Sequence, residues 1–384
     1  MKKKISILGS TGSVGQNTLA VIESFSHRFE VIGLAAGANI LKLSEQIQRF
    51  RPAAVSVACE KDALDLKNRF TQTEFFWGEE GLEQLATLPE VDLVMSALVG
   101  AVGIKPTWQA LSVGKVVALA NKEVLVSAGP WMMDLVKEKK GTLLPVDSEH
   151  NALFQLLDCH GFQGLEKITL TASGGPFLKI PEKDFKMLTP EQALRHPTWS
   201  MGKRISIDSA TLMNKGFEVI EAGHLFNLRG TQIEVVVHPQ SMIHGLVSYQ
   251  DGNTLACLSL PDMKIPIAYV LCYPERYPQE VPVLDLTKVG MLTFEGVDGQ
   301  KFPLLGVAYE ILKRGGHWGA VCNAADEVAV GAFLERKIGF HQIAYVVQKT
   351  LDAFSDLFSK SLEGVYEADH WARTKAQYVI KMLS

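Results

Sequence analysis

The sequence has few cysteines and no long apolar run. Its five cysteines are scattered, and no two of them form a C-x-x-C pair. This excludes a disulfide framework and is typical of free thiols in a reducing compartment. No apolar stretch reaches the ~18 residues that a membrane helix needs, and the apolar run at residues 5–8 is too short for a signal peptide. These absences predict a cytoplasmic protein that does not enter a membrane.

An excess of charge of one sign is also missing. The chain has 38 basic and 42 acidic residues and a net charge of −4, so its charge does not favour a nucleic-acid partner. Its 384 residues predict about two to three domains. A hydrophobic fraction of 47% is that of an ordinary globular protein and excludes a disordered or collagen-like chain.

The first part of the chain alternates between strand and helix patterns. Helical segments at residues 17–24 and 41–50 separate its first three apolar runs. Runs rich in Val, Ala and Leu without polar alternation are typical of parallel strands that are buried on both faces. They lie at residues 4–8, 31–36, 53–58, 91–97 and 116–120. This order predicts βαβ units in a doubly wound, Rossmann-type domain.

A glycine-rich loop, GSTGSVG, occupies residues 9–15 between the first strand and the first helix. Backbone N–H groups and the helix dipole can hold a pyrophosphate at such a point, and a tight turn without a ligand is the alternative. After the second strand, residues 35–39 read AAGAN and contain no acidic residue. Since an Asp or Glu there would bind the ribose of NAD, its absence favours NADP.

Two carboxylates follow an apolar strand predicted at residues 142–146. On an extended backbone Asp147 and Glu149 would point to the same side, and two such oxygen donors suit a hard cation such as Mg²⁺ or Mn²⁺. The alternative is the start of a helix, capped by Asp147 or Ser148, in which Glu149 is favoured by the helix dipole. The residues alone leave both interpretations open.

Polar residues also gather between residues 173 and 218. A Ser-Gly-Gly turn at Ser173 follows a predicted strand at residues 167–172 and could expose anion-binding groups; a turn without a ligand is the alternative. Residues 196–202 (HPTWSMG) resemble a loop with a bulky lid residue, Trp199. A strand-to-helix transition is predicted near Ser209. On the helix, Asn214 and Lys215 lie within four residues of Glu218, which suits a metal and anion site or, alternatively, a surface ion pair.

Several of these motifs occur in order along nearly the whole chain, and together they resemble the 1-deoxy-D-xylulose 5-phosphate reductoisomerase family. The matching stretches are residues 9–15, 119–123 (LANKE), 146–151 (VDSEHN), 171–177 (TASGGPF), 196–202, 208–216 (DSATLMNKG), 237–241 (VHPQS) and 323–328 (NAADEV).

The resemblance implies a role for specific residues. The implied metal ligands are Asp147, Glu149 and Glu218, for Mg²⁺ or Mn²⁺ with Co²⁺ also possible, and with Lys122 they form the predicted catalytic set. The implied substrate-binding residues are Ser148, Ser173, His196, Trp199, Met201, Ser209, Asn214 and Lys215, of which Trp199 and Met201 belong to a flap. The implied NADPH-binding residues are Thr11, Gly12, Ser13, Val14, Gly37, Asn39, Asn121, Glu123 and Gly202. Many relatives have a basic residue where this chain has Ala38, so the partner of the NADP 2′-phosphate is left open.

The resemblance also implies a reaction. Members convert 1-deoxy-D-xylulose 5-phosphate, a sugar phosphate, to 2-C-methyl-D-erythritol 4-phosphate in non-mevalonate isoprenoid biosynthesis. A retro-aldol and aldol rearrangement is thought to give a branched aldehyde that NADPH reduces, with a divalent metal as Lewis acid. Two alternatives are another NADP-dependent reductase of a phosphorylated carbonyl compound, which needs no metal, and a non-catalytic NADPH sensor.

The predicted architecture is α/β with three structured regions. We expect a Rossmann-type NADPH domain at residues 1–147, a catalytic α+β domain with a mixed sheet at 148–272, a linker at 273–298 and a helical bundle at 299–384. Strands are predicted at 233–238, 245–249 and 254–260, the last two joined by an Asp-Gly hairpin turn. The family is expected to be a homodimer, paired through the strands of its middle domain.

Overall fold

The computed structural model describes residues 2–195, 202–278 and 280–383. Its contacts group the chain into two compact units. The first contains residues 1–124, 132–151 and 262–282, and the second contains residues 125–131, 152–261 and 283–384. The division into four segments that the sequence suggested stays a prediction.

The first unit is built on a seven-stranded parallel sheet with the order β4-β3-β2-β1-β5-β6-β7. Its elements, in chain order, are β1 (Lys3–Leu8), α1 (Ser13–Ser24), β2 (Phe29–Ala35), α2 (Ile40–Phe50), β3 (Ala54–Val57), α3 (Glu60–Lys67), β4 (Glu74–Trp77), α4 (Gly78–Ala86), β5 (Leu93–Ser96), α5 (Ile104–Ser112), β6 (Val116–Leu119), α6 (Glu123–Lys139) and β7 (Leu143–Pro145). The chain adds strands outward from β1 to one side as far as β4 and then from β5 to the other side as far as β7, so the prediction of a doubly wound sheet is confirmed.

The central strands of this sheet are buried because both of their faces are apolar. Ile5, Ile7 and Leu34 have no exposed surface, as expected for parallel strands that helices cover on both sides. Such a sheet brings the carboxyl ends of β1, β5 and β6 to one edge. The glycine-rich loop and residues 121–123 follow these ends, which is where doubly wound sheets bind ligands.

The second unit contains a five-stranded mixed sheet with the order β11-β10-β8-β9-β12. The elements that follow β7 are α7 (Ser148–His160), β8 (Leu165–Ala172), α8 (Pro190–Ala193), α9 (Lys203–Thr211), α10 (Met213–Leu225), β9 (Ile233–Val237), β10 (Ile243–Tyr249), β11 (Thr254–Leu258), α11 (Lys264–Cys272), α12 (Leu286–Val289), β12 (Glu295–Gly296), α13 (Pro303–Arg314), α14 (Trp318–Leu334), α15 (Phe340–Asp352) and α16 (Leu362–Leu383). β10 and β11 pair antiparallel, which confirms the predicted hairpin.

The last four helices form the helical C-terminal region that the sequence predicted. α14 lies at its centre, and Ala320, Ala324 and Ala325 on it are fully buried. Such small side chains let neighbouring helices approach closely. α14 packs against both α15 and α16. None of the helices in the described ranges is both long and apolar enough to span a membrane.

One local prediction was wrong. Residues 205–208 were expected to be extended before a helix near Ser209, but they belong to α9. The alternation of Ile205 and Ile207 imitates a strand, yet Arg204 and Asp208 are ion-paired across one helical turn, a spacing that a strand does not bring together. For residues 147–149 the sequence left an extended backbone and a helix start open, and the helix start is observed, since α7 begins at Ser148.

Candidate active site

A tight turn at the end of β8 presents Ser173. Gly174 and Gly175 have φ angles of +85° and +68°, a conformation that glycine adopts without a steric penalty. The backbone N–H of Gly175 donates a hydrogen bond of 3.3 Å to the Ser173 hydroxyl. The turn therefore places a hydroxyl and N–H groups at a strand end, as the sequence suggested.

Ser209 lies directly beside this turn. A Cβ atom on Gly175 would come within 2.5 Å of the Ser209 carbonyl oxygen and 3.1 Å of its carbonyl carbon. Real Cβ contacts are longer, so the two backbones can approach this closely only because residue 175 is glycine. The structure thus brings together Ser173 and Ser209, which are far apart in sequence.

α9 and α10 are joined by a sharp turn at Leu212. This residue adopts a left-handed conformation with φ +58°, which is unfavourable for a residue with a Cβ. The Thr211 hydroxyl holds the turn: it accepts a hydrogen bond of 3.2 Å from the N–H of Met213 and donates one of 3.2 Å to the carbonyl of Asp208. Asn214 and Lys215 consequently lie in the first turn of α10, next to the end of α9.

Glu218 lies one turn further along α10 and is almost fully buried. Asn214 Nδ2 donates a hydrogen bond of 2.7 Å to Glu218 Oε1, and the buried ammonium of Lys215 forms a short ion pair with Glu218 Oε2. Both side chains are buried, so the alternative of a solvated surface pair is wrong. A buried ion pair also carries a large desolvation cost that surface pairs do not have.

Asp147 and Ser148 lie where the first unit leads from β7 into α7. Asp147 Oδ1 accepts a hydrogen bond of 3.1 Å from the N–H of Ser148, and the carbonyl of Asp147 accepts one of 2.8 Å from the N–H of Asn151. Asp147 therefore precedes the first turn of a helix, and Glu149, hydrogen-bonded to the Ser148 hydroxyl, lies within that turn. The helix-start interpretation of the backbone is confirmed. The role of both carboxylates as metal ligands stays a prediction.

Lys122 and His150 flank Asp147. Lys122 Nζ lies 2.8 Å from Asp147 Oδ2, and only 9% of its side chain is exposed. His150 has no exposed surface, and its Nδ1 atom lies 3.8 Å from the same Asp147 oxygen. The sequence analysis gave His150 no role, although it lies in the matching stretch at residues 146–151, which is the signal that could have identified it. A lysine ammonium and a buried imidazole thus lie beside one carboxylate.

The glycine-rich loop has the close backbone packing expected of a nucleotide-binding turn. A Cβ on Gly15 would come within 2.4 Å of the Gly9 carbonyl oxygen, and one on Gly9 would come within 2.4 Å of the Ala97 carbonyl oxygen. α1 begins at Ser13, immediately after Gly12. The N–H groups at residues 11–14 therefore lie at a helix N-terminus, where they favour an anionic group.

The other predicted cofactor residues lie at or just before the starts of α2 and α6. Asn39 caps α2 by accepting a hydrogen bond of 3.2 Å from the N–H of Lys42, and Gly37 precedes it with open space around its Cα. Asn121 is buried and donates a hydrogen bond of 3.0 Å to the Gly100 carbonyl, and Glu123 is the first residue of α6.

Four predicted residues belong to the segment between α8 and α9. Gly202 is the residue that precedes α9. His196, Trp199 and Met201 lie outside the described residues, so their predicted contacts with substrate stay predictions.

His238 was quoted in a matching stretch without a role. It is fully buried at the end of β9. Its Nε2 accepts a hydrogen bond of 3.2 Å from the N–H of Met242, so Nδ1 carries the proton and donates to the Thr293 carbonyl at 2.9 Å. The described contacts give this histidine a structural role in holding residues 238–242 against residue 293.

The fold and these side chains define a class of protein: a dinucleotide-dependent enzyme with a Rossmann-type unit and a second unit that carries a cluster of hydroxyl, amide and ammonium groups. Matches to family models identify the chain more specifically. Residues 5–129 match the 1-deoxy-D-xylulose 5-phosphate reductoisomerase model, residues 143–226 match its C-terminal domain, and residues 258–375 match the DXP reductoisomerase C-terminal domain. The chain belongs to the 1-deoxy-D-xylulose 5-phosphate reductoisomerase family.

Individual relatives agree over nearly the full length. The chain is 51% identical to 1-deoxy-D-xylulose 5-phosphate reductoisomerase of Chlorobium chlorochromatii, over 98% of this chain and 99% of that one. It is similar to the solved Zymomonas mobilis reductoisomerase in complex with NADPH, at 43% identity, a TM-score of 0.93 and 99% coverage of both chains. A DOX-P reductoisomerase solved with NADPH, fosmidomycin and magnesium gives 40% identity, a TM-score of 0.94 and 99% coverage of both.

Proposed function

We propose that this enzyme converts 1-deoxy-D-xylulose 5-phosphate to 2-C-methyl-D-erythritol 4-phosphate, with NADPH as reductant and a divalent cation. The observation that carries this proposal is the match to reductoisomerases over nearly the whole chain. The magnesium and NADPH in the similar solved enzyme favour it over a metal-independent reductase and over a non-catalytic NADPH sensor. A sensor would also leave the buried carboxylate Glu218 and its two donors without a use.

Asp147, Glu149 and Glu218 are the proposed metal ligands. All three offer carboxylate oxygen, the donor type that Mg²⁺ and Mn²⁺ prefer, so the donor set fits the ion. When bound, the cation would act as a Lewis acid on the adjacent hydroxyl and carbonyl oxygens of the substrate, and NADPH would supply the hydride. Asn214 and Lys215 orient Glu218 through the hydrogen bonds described above, as ligand carboxylates generally require.

Ser173, Ser209, Asn214 and Lys215 are the proposed phosphate ligands. The closeness of Gly175 to the Ser209 carbonyl means that the backbone segments carrying the two serines are neighbours, and the N-terminus of α10 favours an anion. The buried ammonium of Lys215 adds a full charge. Together they would provide charge-assisted hydrogen bonds of about 1.5–3 kcal/mol each, and this binding energy, remote from the reacting carbons, would hold the substrate in place.

Lys122 and Ser148 are proposed to contact the substrate hydroxyls. Lys122 Nζ lies 2.8 Å from Asp147 Oδ2, so its ammonium is positioned beside a proposed metal ligand. His196, Trp199 and Met201 complete the proposed substrate site from the segment before α9. The proposed NADPH contacts come from residues 11–14, Gly37, Asn39, Asn121, Glu123 and Gly202.

The test is a measurement of NADPH oxidation with the purified enzyme. Oxidation should require both 1-deoxy-D-xylulose 5-phosphate and Mg²⁺, stop when the metal is chelated, and return with Mn²⁺ or Co²⁺. Turnover that persists without a divalent cation would contradict the proposal and favour the metal-independent reductase. Binding of NADPH without turnover under all of these conditions would favour the sensor.

We further propose that the enzyme is a cytoplasmic homodimer. β11 is an edge strand of the mixed sheet: among the described residues it pairs only with β10, and an unpaired edge is a template for another strand. Cys59, Cys159, Cys272 and Cys322 are free thiols, which suits a reducing compartment. Light scattering in solution should give twice the 42.2 kDa chain mass; a monomeric mass would contradict the dimer.

A further inference from the structure

Arg204 lies at the start of α9 and contacts three helices of the second unit. On α9 itself its Nε lies 3.6 Å from Asp208 Oδ2. Its guanidinium carbon lies 5.9 Å from the ring centroid of Phe217 on α10. Its Nη2 donates a hydrogen bond of 2.6 Å to Asn323 Oδ1 on α14. Phe217 immediately precedes Glu218, so this one side chain contacts the helices that carry Ser209, Lys215 and Glu218.

The α14 side of this contact is acidic and buried. Arg204 Nη2 lies 3.4 Å from Asp326 Oδ2, and Nη1 lies 3.3 Å from Glu327 Oε2. Asp326 is fully buried and Asp208 is 4% exposed. Burial raises the pKa of Asp326 to about 6, although the Arg204 charge acts in the opposite direction. Two buried carboxylates close to one guanidinium fix its position, because moving it would leave a buried charge uncompensated.

The ion pairs continue away from α9. Glu327 also accepts a hydrogen bond of 3.0 Å from Arg373 Nη2 on α16, and Arg373 in turn binds Asp369 at 2.7 Å. Burial lowers the pKa of Arg373. Its hydrogen bonds to Asp369 and Glu327, together with their charges, raise that pKa by a larger amount, so the net shift is upward. Arg373 contacts acidic residues of α14 and α16, so it provides a matched control for Arg204 within the same network.

We propose that Arg204 is a positioning residue for substrate phosphate: it fixes α9 and α10 against α14 and thereby sets the distance between Ser209 and the Asn214–Lys215 turn. This inference rests on the proposed phosphate pocket. It gives a function to residues 323–328, a stretch that matches the family but contains none of the proposed ligands. The C-terminal helices then contribute to substrate affinity through a side chain that does not touch the substrate.

The experiment compares Arg204→Lys, Arg204→Met and Arg373→Met. For each variant one measures KM and kcat for 1-deoxy-D-xylulose 5-phosphate, the Kd of NADPH, the inhibition constant of fosmidomycin, and the free energy of unfolding. Lys keeps the charge but not the planar fork that reaches several partners. We expect Arg204→Met to raise KM and the inhibition constant about 30-fold or more, with kcat and NADPH Kd changed less than about threefold and Arg204→Lys intermediate.

Arg373→Met should lower stability but leave KM within about twofold of wild type. Equal KM increases in Arg204→Met and Arg373→Met, in proportion to their stability losses, would show a merely structural role and overturn the inference. Should Arg204→Met not fold, Asp326→Asn, which keeps the shape of the site, gives the same comparison, and an unchanged KM in it would also overturn the inference. An inactive wild-type enzyme in the NADPH assay would instead contradict the proposed function.

Discussion

Gly175→Ala tests how the structure brings Ser173 and Ser209 together. The new methyl group would lie 2.5 Å from the Ser209 carbonyl oxygen, so one turn must move by about 0.9 Å before ordinary contact begins at 3.4 Å. Because residue 175 has φ +68°, alanine there also carries a backbone penalty of about 1–2 kcal/mol. The first effect is a displacement of the proposed phosphate ligands, and the second is a loss of stability.

The two effects can be separated by a control. Gly164 has φ +73°, and nothing lies within 4 Å of a Cβ built on it. Gly164→Ala should therefore show the backbone penalty alone, about 1–2 kcal/mol in the free energy of unfolding, with unchanged kinetics. A misplacement of about 1 Å can cost about 100-fold in rate. We therefore expect kcat/KM for 1-deoxy-D-xylulose 5-phosphate to fall about 100-fold in Gly175→Ala, mainly through KM.

The assay is steady-state NADPH oxidation, with NADPH binding followed separately by fluorescence. NADPH affinity should be unchanged in both variants, since residue 175 belongs to the second unit and the proposed nucleotide loop to the first. If Gly175→Ala kept the kcat/KM of Gly164→Ala, then the close approach of the two turns would have no part in phosphate binding, and the reasoning would be refuted.

Three other predictions follow from single side chains. Glu218→Gln keeps the hydrogen-bonding shape but loses the charge, so turnover should fall by orders of magnitude with NADPH affinity unchanged; near-normal turnover would remove Glu218 from the proposed metal site. With no acidic residue at 35–39, kcat/KM should favour NADPH over NADH, and equal use of both would contradict this. Burial lowers the pKa of His224 to about 4, so the folded state should lose about 3 kcal/mol as the pH falls from 6.5 to 4; in His224→Leu, urea titrations should show a correspondingly smaller loss, and an identical pH profile would contradict the assignment.

The sequence predicted the parallel sheet well because its strands are fully buried. An apolar run such as 91–97 needs no knowledge of its partners to be recognised as a covered strand, and β5 lies there. β4 was missed, since Glu74 and Trp77 at its ends are exposed and the strand lies at the edge of the sheet. A short edge strand has too few buried residues to show a recognisable apolar pattern.

The prediction failed where local pattern and tertiary contact disagree. Residues 204–208 alternate between polar and apolar side chains as a strand does, yet they are helical, with Arg204 paired to Asp208 one turn along and to acidic partners on α14. The α14 partners lie more than a hundred residues away in sequence. The spacing of Arg204 and Asp208 fits a helix, but the alternation of the apolar residues is the more conspicuous local pattern, and it predicted a strand.

The structure also explains why the stretch at residues 208–216 is longer than the set of its proposed ligands. Ser209, Asn214 and Lys215 are the proposed phosphate ligands, but the residues between them build the turn that presents them. Thr211 binds the backbone on both sides of the turn, and Leu212 adopts the left-handed conformation that reverses the chain.

Gly216 contributes in a different way. A Cβ there would come within 2.9 Å of the Ala308 side chain, so glycine allows α10 to pack closely against α13. A substitution at any of these positions would move the ligands without removing one, so its effect should appear in KM for the substrate before it appears in the affinity for NADPH.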